Sequence, residues 1–324
     1  DMFADMDDVV RLNAYISDVS LVDTVEYILP LDVTINLYSD RDTTYAIVDA
    51  PSMQMEIEGK YGYEKIVADL SAFTDSLTEQ LNDYRIDRDK LRPLLPDLSL
   101  YAKINYDAPI MFLLEDAGYS FKSLETDVIL RQNYGIDAYL EVEKLFVDSM
   151  YIDSLKFTVF EDSISTKFKA DVLNNKDNPQ MVFHAMIDGQ LLAEKANVGV
   201  RIFDKDDRLG VLLGTSARIT PDSLLLNLTP ERPILGYKEY NLNTENYLSL
   251  HEGNKIKTKI MLEADDDTGL HIYSIPNETA KQDLALEVNS FDLTELTALI
   301  PLMPKIAGKM NGDMHIVQTD KNWS

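Results

Sequence analysis

Hydrophobic and polar residues alternate along most of this chain with a period of two. Lys255–Glu263 shows the pattern most clearly: Ile256, Thr258, Ile260 and Leu262 fall on one side, Lys257, Lys259 and Glu263 on the other. Such alternation makes a strand with one apolar and one wet face. Near the start it covers Val33, Ile35 and Leu37, then 45–48 and 53–57. From 119 to 227 it barely stops. Successive strands are expected around Leu124–Leu130, Ile136–Val142, Leu155–Val159, Ile164–Val172, Met181–Ile187, Val198–Ile202 and Leu209–Leu213. Two more follow at Leu270–Ile275 and Leu284–Val288. The turns between them are rich in Asn and Asp, as at 174–179 and 204–207, so neighbouring strands are expected to be antiparallel.

The period changes in a few places. Ile66, Leu70, Phe73, Leu77 and Leu81 recur at helical spacing, with Asp69, Asp75 and Glu79 off that face. The polar side is acidic, which suits packing on a sheet better than lying on a membrane. Asp87 is expected to cap a short helix that Pro96 stops. Asp107–Gly118 reads as another, with Asp107 as cap and Gly118 just past its end. Asp292 opens a last one that stops at Pro301. An internal repeat links two of these. Asp87-x-x-x-Leu91-x-x-Leu94-Leu95-Pro96 matches Asp292-x-x-x-Leu296-x-x-Leu299-Ile300-Pro301, about 205 residues on. Downstream, Lys103-Ile104-Asn105-x-Asp107 matches Lys309-Met310-Asn311-x-Asp313. The expected divisions are a β segment over 1–62, a helical insertion over 63–118, a long run of strands over 119–291, and a helix opening the next β segment over 292–324.

The formal net charge of −26 argues against nucleic acid and disfavours an anionic membrane surface as a docking site. With no cysteine in 324 residues, disulfides and thiolate metal sites are excluded. No stretch reaches the ~18 apolar residues of a membrane-spanning helix. The chain starts in mid-pattern at Asp1 and ends just after a strand, so a middle segment of a longer protein is expected. His184, His251, His271 and His315 are too far apart in sequence for a ligand motif, and read as strand histidines. Asp204–Asp207 and Asp265–Asp267 lack the spacing of a calcium loop and read as hairpin turns. Phosphate-binding glycine loops and nucleophile motifs are absent, and no carboxylate pair stands out from so acidic a background. No enzyme, no cofactor and no metal are expected. Three Asn-x-Ser/Thr sequons, at Asn227, Asn277 and Asn322, are close to what chance gives.

Two stretches resemble a known family. Leu228–Tyr237 reads Leu-Thr-Pro-Glu-Arg-Pro-Ile-Leu-Gly-Tyr and leads into Asn241-Leu-Asn-Thr-Glu-Asn-Tyr247. Asp267-Thr-Gly-Leu-His-Ile-Tyr-Ser274 and Phe291-Asp-Leu-Thr-Glu-Leu follow, then Ile300-Pro301 and the Gly312–Asp313 strand. These are similar to TamB-like translocation and assembly proteins of the AsmA-like superfamily, in the form found in Bacteroidetes-type bacteria. The match is most specific over about the last hundred residues. The resemblance implies a periplasmic protein held in the inner membrane by an N-terminal anchor outside this stretch. It implies a groove of one-sided strands, the β-taco, along which phospholipid slides. It also implies a link to outer-membrane protein assembly through a partner of the Omp85 type, reached by regions outside this stretch.

The expected fold is therefore mainly β: an elongated, twisted, largely antiparallel sheet curled into an apolar groove, with a few amphipathic helices. About fifteen strands at ~4.8 Å spacing would extend about 70 Å. Phospholipid acyl chains are the expected cargo, with Phe168, Ala170, Val172, Phe183, Ile187, Val200, Val211, Ile256, Ile260 and Leu262 as the lining. The competing reading is an extracellular or cell-surface β-rich binding or adhesin module with a closed core, its apolar faces packed on each other.

Overall fold

The structure is a computed structural model. It describes the chain apart from residues 1–2, 6–8, 18–19, 23–25, 29–31, 83–85, 193–194, 221–222, 252–254, 278–279, 295–296, 298–302, 305 and 319–324. It is mainly β, with α-helices in the first half of the chain, and divides into two compact units, Asp1–Val172 and Leu173–Ser324.

Unit 1 contains β1 (Phe3–Asp5), β2 (Val9–Ile16), β3 (Ser20–Val22), β4 (Glu26–Ile28), β5 (Val33–Ser39), β6 (Thr43–Ala50) and β7 (Met53–Lys60). Then come α1 (Tyr63–Asn82), α2 (Arg88–Leu91), β8 (Leu98–Asn105), α3 (Met111–Asp116), β9 (Tyr119–Ser120), β10 (Ser123–Arg131), β11 (Gly135–Val147) and β12 (Met150–Glu161). The unit boundary falls within β13 (Thr166–Asn174). Its sheet is an antiparallel meander, β1–β2–β5–β6–β7–β8–β10–β11–β12, with β9 beside the end of β11. Within 63–118, β8 joins the sheet between β7 and β10, so the helices are excursions from the sheet.

Unit 2 continues with β14 (Phe183–Leu191), β15 (Lys195–Phe203), β16 (Leu209–Thr220), β17 (Ser223–Leu235), β18 (Lys238–Glu239), β19 (Asn241–Leu242), β20 (Tyr247–His251), β21 (Lys255–Glu263), β22 (Gly269–Ser274), β23 (Gln282–Asp292) and β24 (Lys309–Gln318). The order is β14–β15–β16–β17–β20–β21–β22–β23–β24, again antiparallel. Among the described residues, no pairing in either unit brings the last strands back onto the first, so neither sheet closes on itself.

The helices sit at the ends of the unit 1 strands. Ser39 and Thr44 fall among apolar positions and bond to each other at 2.7 Å. Ser39 Oγ accepts from Tyr63 N (2.9 Å), and Thr44 donates to the Tyr61 carbonyl (3.0 Å). This pair fixes the start of α1 over the sheet. Ile66, on the helical stripe, lies over Gly59, where a Cβ would come 2.3 Å from its Cδ1. Asp87 caps α2 by accepting from Lys90 N, as its position before the apolar run suggested. The same short block is clamped to the far end of β12, where Arg88 and Arg92 both reach Glu161, at 2.9 and 2.6 Å.

Two expectations need correction. The third helix starts at Met111, not after Asp107, because two successive turns intervene, with Ala108 N bonding to Asn105 O and Met111 N to Ala108 O. Gly118, at φ +86, does stand just past its end. The downstream half of the repeat is not equivalent in the fold. Lys103–Asn105 closes β8, whereas Lys309–Asn311 opens β24. Of the helix expected after Asp292, most lies outside the described residues; Asp292 itself accepts from Thr294 N at 2.9 Å. No helix among the described residues is long and apolar enough to cross a membrane.

Candidate functional site: one apolar face on each sheet

Cross-strand partners in a sheet point to the same side, so the registers assemble the faces. In unit 1 one row runs Leu12, Leu37, Ala46, Ile57, Leu100, Val128, Ala138, Val159 through eight strands. The adjacent row runs Ala14, Ile35, Val48, Met55, Ala102, Thr126, Leu140, Phe157. Neither row contains a charge. The opposite side carries Glu56, Tyr101, Asp127 and Tyr139 in line with one another.

Unit 2 repeats the arrangement. Ile187, Val200 and Leu213 are in line across β14–β16. Leu224, Leu250 and Ile256 follow across β17–β21. Ile260, Ile272, Leu286 and Met314 carry the face to β24, beside Leu262, Leu270 and Val288. The outer side presents Lys257, Lys259, His271, Glu287 and Asp313.

Burial along these faces is uneven. At one end of the unit 1 strands, α3 closes over Met53, Ile104 and Val142, with Ala108, Met111 and Phe121 completing a buried cluster. At the other end, Ile66 covers Gly59, and Leu91 and Leu95 are buried. Between the ends, every member of the Leu12-to-Val159 row is only half-buried, and Phe157 is exposed. In unit 2, Leu242 of β19 is the cross-strand partner of Leu262 in β21, and with Tyr240, Ile260, Val288 and Phe291 they form a buried cluster. Away from that cluster Val200, Leu213, Leu224, Leu250 and Ile256 are half-buried, and Ile187 is 37% exposed. Each unit thus has an apolar face packed at a strand end and left open in its middle.

The expected lining residues fall into place unequally. Phe183, Ile187, Val200, Val211, Ile256, Ile260 and Leu262 share the apolar face of unit 2. Ile187, Val200 and Ile256 line its open part. Ile260 and Leu262 are committed to the packed cluster, and Phe183 and Val211 are buried, each 8% exposed. Phe168, Ala170 and Val172 share one side of β13 and are half-buried. The rows of unit 1 were not singled out beforehand, although Leu124–Leu130 and Ile136–Val142 already carried the alternation that builds them.

Between β19 and β20, where the chain leaves the ladder, two asparagine side chains stand in for strand backbone. Asn246 Oδ1 accepts from Leu228 N (2.6 Å), and Asn243 Oδ1 from Met261 N (2.9 Å).

The groups that chemistry would use lie on the outer faces. His271 sits 3.1 Å from Glu263 and 3.3 Å from Glu287, while His315 bonds to Asp283. His184 stacks on Phe203, and His251 pairs with Ser249. Among the described residues, no group of three or more His, Asp or Glu is placed to hold a metal ion. In each Asp-rich turn one carboxylate, Asp204 or Asp266, is held by several donors. Burial alone would raise Asp204, but the Arg208 and Asp206 N–H groups, the Arg208 guanidinium and the Tyr237 hydroxyl outweigh it and hold it at about 2. The Lys238 ammonium and Thr268 hold Asp266 at about 2. Comparison of the chain with family models, with curated proteins and with solved structures returned no match.

Proposed function

We propose that this chain is a non-enzymatic lipid-carrying segment whose apolar faces shelter phospholipid acyl chains. The observation that carries the reading is the pair of uncharged rows through eight strands of unit 1, the Leu12-to-Val159 row apolar throughout and half-buried along its length. Open apolar surface on that scale is normally a binding surface. Its side chains are mostly aliphatic, without polar groups placed to read a specific ligand, which suits acyl chains. Shielding a methylene contributes ~0.8 kcal/mol, so half-shielding a sixteen-carbon tail gives about 6 kcal/mol, enough to hold a lipid without trapping it.

The resemblance of 224–317 to TamB-like proteins points the same way. On that basis we place the chain in the periplasm, within a bridge for phospholipid between inner and outer membranes. Its inner-membrane anchor and its contact with an Omp85-type assembly partner would belong to regions other than this one. A closed-core adhesin module would bury the middle rows, and their half-exposure favours the open reading.

Organic extraction of the purified protein followed by mass spectrometry tests the proposal. Co-purified phospholipid near one or more molecules per chain is expected. Protein that is lipid-free, and stays so after incubation with phospholipid vesicles, would refute it.

A further inference from the structure

The outer face of unit 2 carries a patch of positive charge. Lys255, Lys257 and Lys259 occupy alternate outward positions of β21, and all three are exposed. Lys257 lies in register with Ser249, Leu225, Arg218 and Lys195, so the patch crosses five strands, from β15 to β21. That is about 19 Å across the strands and about 13 Å along β21.

The arrangement carries a cost. Lys195 and Arg218 are direct cross-strand partners. Like charges placed opposite each other destabilise a sheet. Acidic residues outnumber Lys and Arg 56 to 30, so neutralising partners are plentiful. Elsewhere in the unit Arg201, Lys205, Arg208, Arg232 and Lys238 each pair with a carboxylate. Among the described residues, none of the five patch cations does, and neither do the scattered Lys176, Lys281 and Lys309. Glu194, Asp222 and Glu252 lie outside the described residues.

We propose that this patch docks unit 2 on an anionic membrane surface. The net charge of −26 does not forbid it, because charges beyond a Debye length of about 8 Å are largely screened and only the face in contact counts. Juxtaposed lysines and arginines are what an anionic leaflet attracts. Asn197, Ser216 and Ser249 lie among the cations, and Leu225, the large hydrophobic residue in the Lys257 row, is half-buried and not an exposed anchor. A protein partner takes most of its binding energy from such an anchor, whereas a lipid surface needs only charge. The patch lies opposite the apolar face, so docking does not depend on acyl-chain binding.

The test is sedimentation of the chain with vesicles of phosphatidylcholine alone, or of phosphatidylcholine with one-third phosphatidylglycerol, in low salt and in roughly 0.5 M salt. Binding to the anionic vesicles only, weakened at least tenfold by salt and at least tenfold by combined Lys255→Glu, Lys257→Glu and Lys259→Glu, is expected. If that variant loses its native circular dichroism, the triple Lys→Gln variant replaces it, with a smaller loss expected. Equal binding to neutral vesicles, no binding to anionic vesicles in low salt, or an unchanged folded variant would overturn the proposal. So would binding of polyglutamate without binding of vesicles, which would assign the patch to an acidic polypeptide.

Discussion

Aspartate placed at Ile187 and at Leu262 should give opposite outcomes, although both residues lie on the same apolar face. Leu262 is 2% exposed and packed with Tyr240, Leu242, Ile260, Val288 and Phe291. Removing a leucine from such a site costs about 2–5 kcal/mol, and an unpaired carboxylate in its place adds several more. Leu262→Asp should therefore cost more than about 5 kcal/mol, enough to unfold a marginally stable unit. Ile187 is 37% exposed. Complete burial of an isoleucine stabilises by about 1.5–3 kcal/mol, and more than a third of this one is already in water, so the lost burial is at most about 2 kcal/mol. Its carboxylate would remain hydrated. Ile187→Asp should fold with a modest drop in urea midpoint by far-UV circular dichroism, yet take up less phospholipid. An equal destabilisation at both positions would mean that the middle of the face is closed core, and the lipid reading would fail with it.

Other perturbations test the parts that frame the faces. The Glu161 side chain is 6% exposed and holds both Arg88 and Arg92, so Glu161→Ala removes the carboxylate from two guanidiniums and leaves them only the Asp162 and Ile164 carbonyls. A loss of about 3–5 kcal/mol is expected, with faster amide exchange in α2; an unchanged melt would mean the clamp is idle. Asn246→Ala should cost about 1–3 kcal/mol in urea titrations, because Leu228 N then loses its acceptor, and a stability equal to the parent would refute that role. Acid should weaken the fold in a defined window. Asp162, held by the Ile164 and Ser165 N–H groups, joins Asp204 and Asp266 at about 2 in the folded state. An unfolded aspartate titrates near ~3.9, so this stabilisation is fully present above about pH 4 and lost as pH falls towards 2. Melting temperature should drop across that window, with a shallower drop in Asp204→Asn; a flat profile would show the turns contribute nothing.

The faces were legible strand by strand, because period-two alternation fixes which side chains share a side. Ile256, Ile260 and Leu262 share one side of β21 for that reason. Their separate fates were not legible. Leu262 is buried because the chain about twenty residues upstream brings Leu242 beside it as a strand partner and Tyr240 into the same cluster, and alternation carries no information about which segment packs there. The long unit 1 rows needed the registers of seven strand pairs, which depend on turn geometry and long-range pairing. The helix start at Met111 was obscured because Asp107 and Pro109 suit a helix start as well as the turns that precede it. The lysine patch was half visible: alternation put Lys255, Lys257 and Lys259 together, but only the register brings Arg218 and Lys195 into line with them.

The central claim is that acyl chains lie against the open middle of the apolar faces. Photocrosslinking with a phospholipid that carries a diazirine near the end of its acyl chain, followed by peptide mass spectrometry, reads that contact directly. The account predicts adducts at Ile187, Val198, Val200 and Leu213 in unit 2 and along Leu100, Val128 and Val159 in unit 1. Ser216, Asn197 and Tyr101, on the outer faces, should stay unlabelled. Adducts spread equally over both faces, or none above the level seen with an unrelated soluble protein, would contradict it.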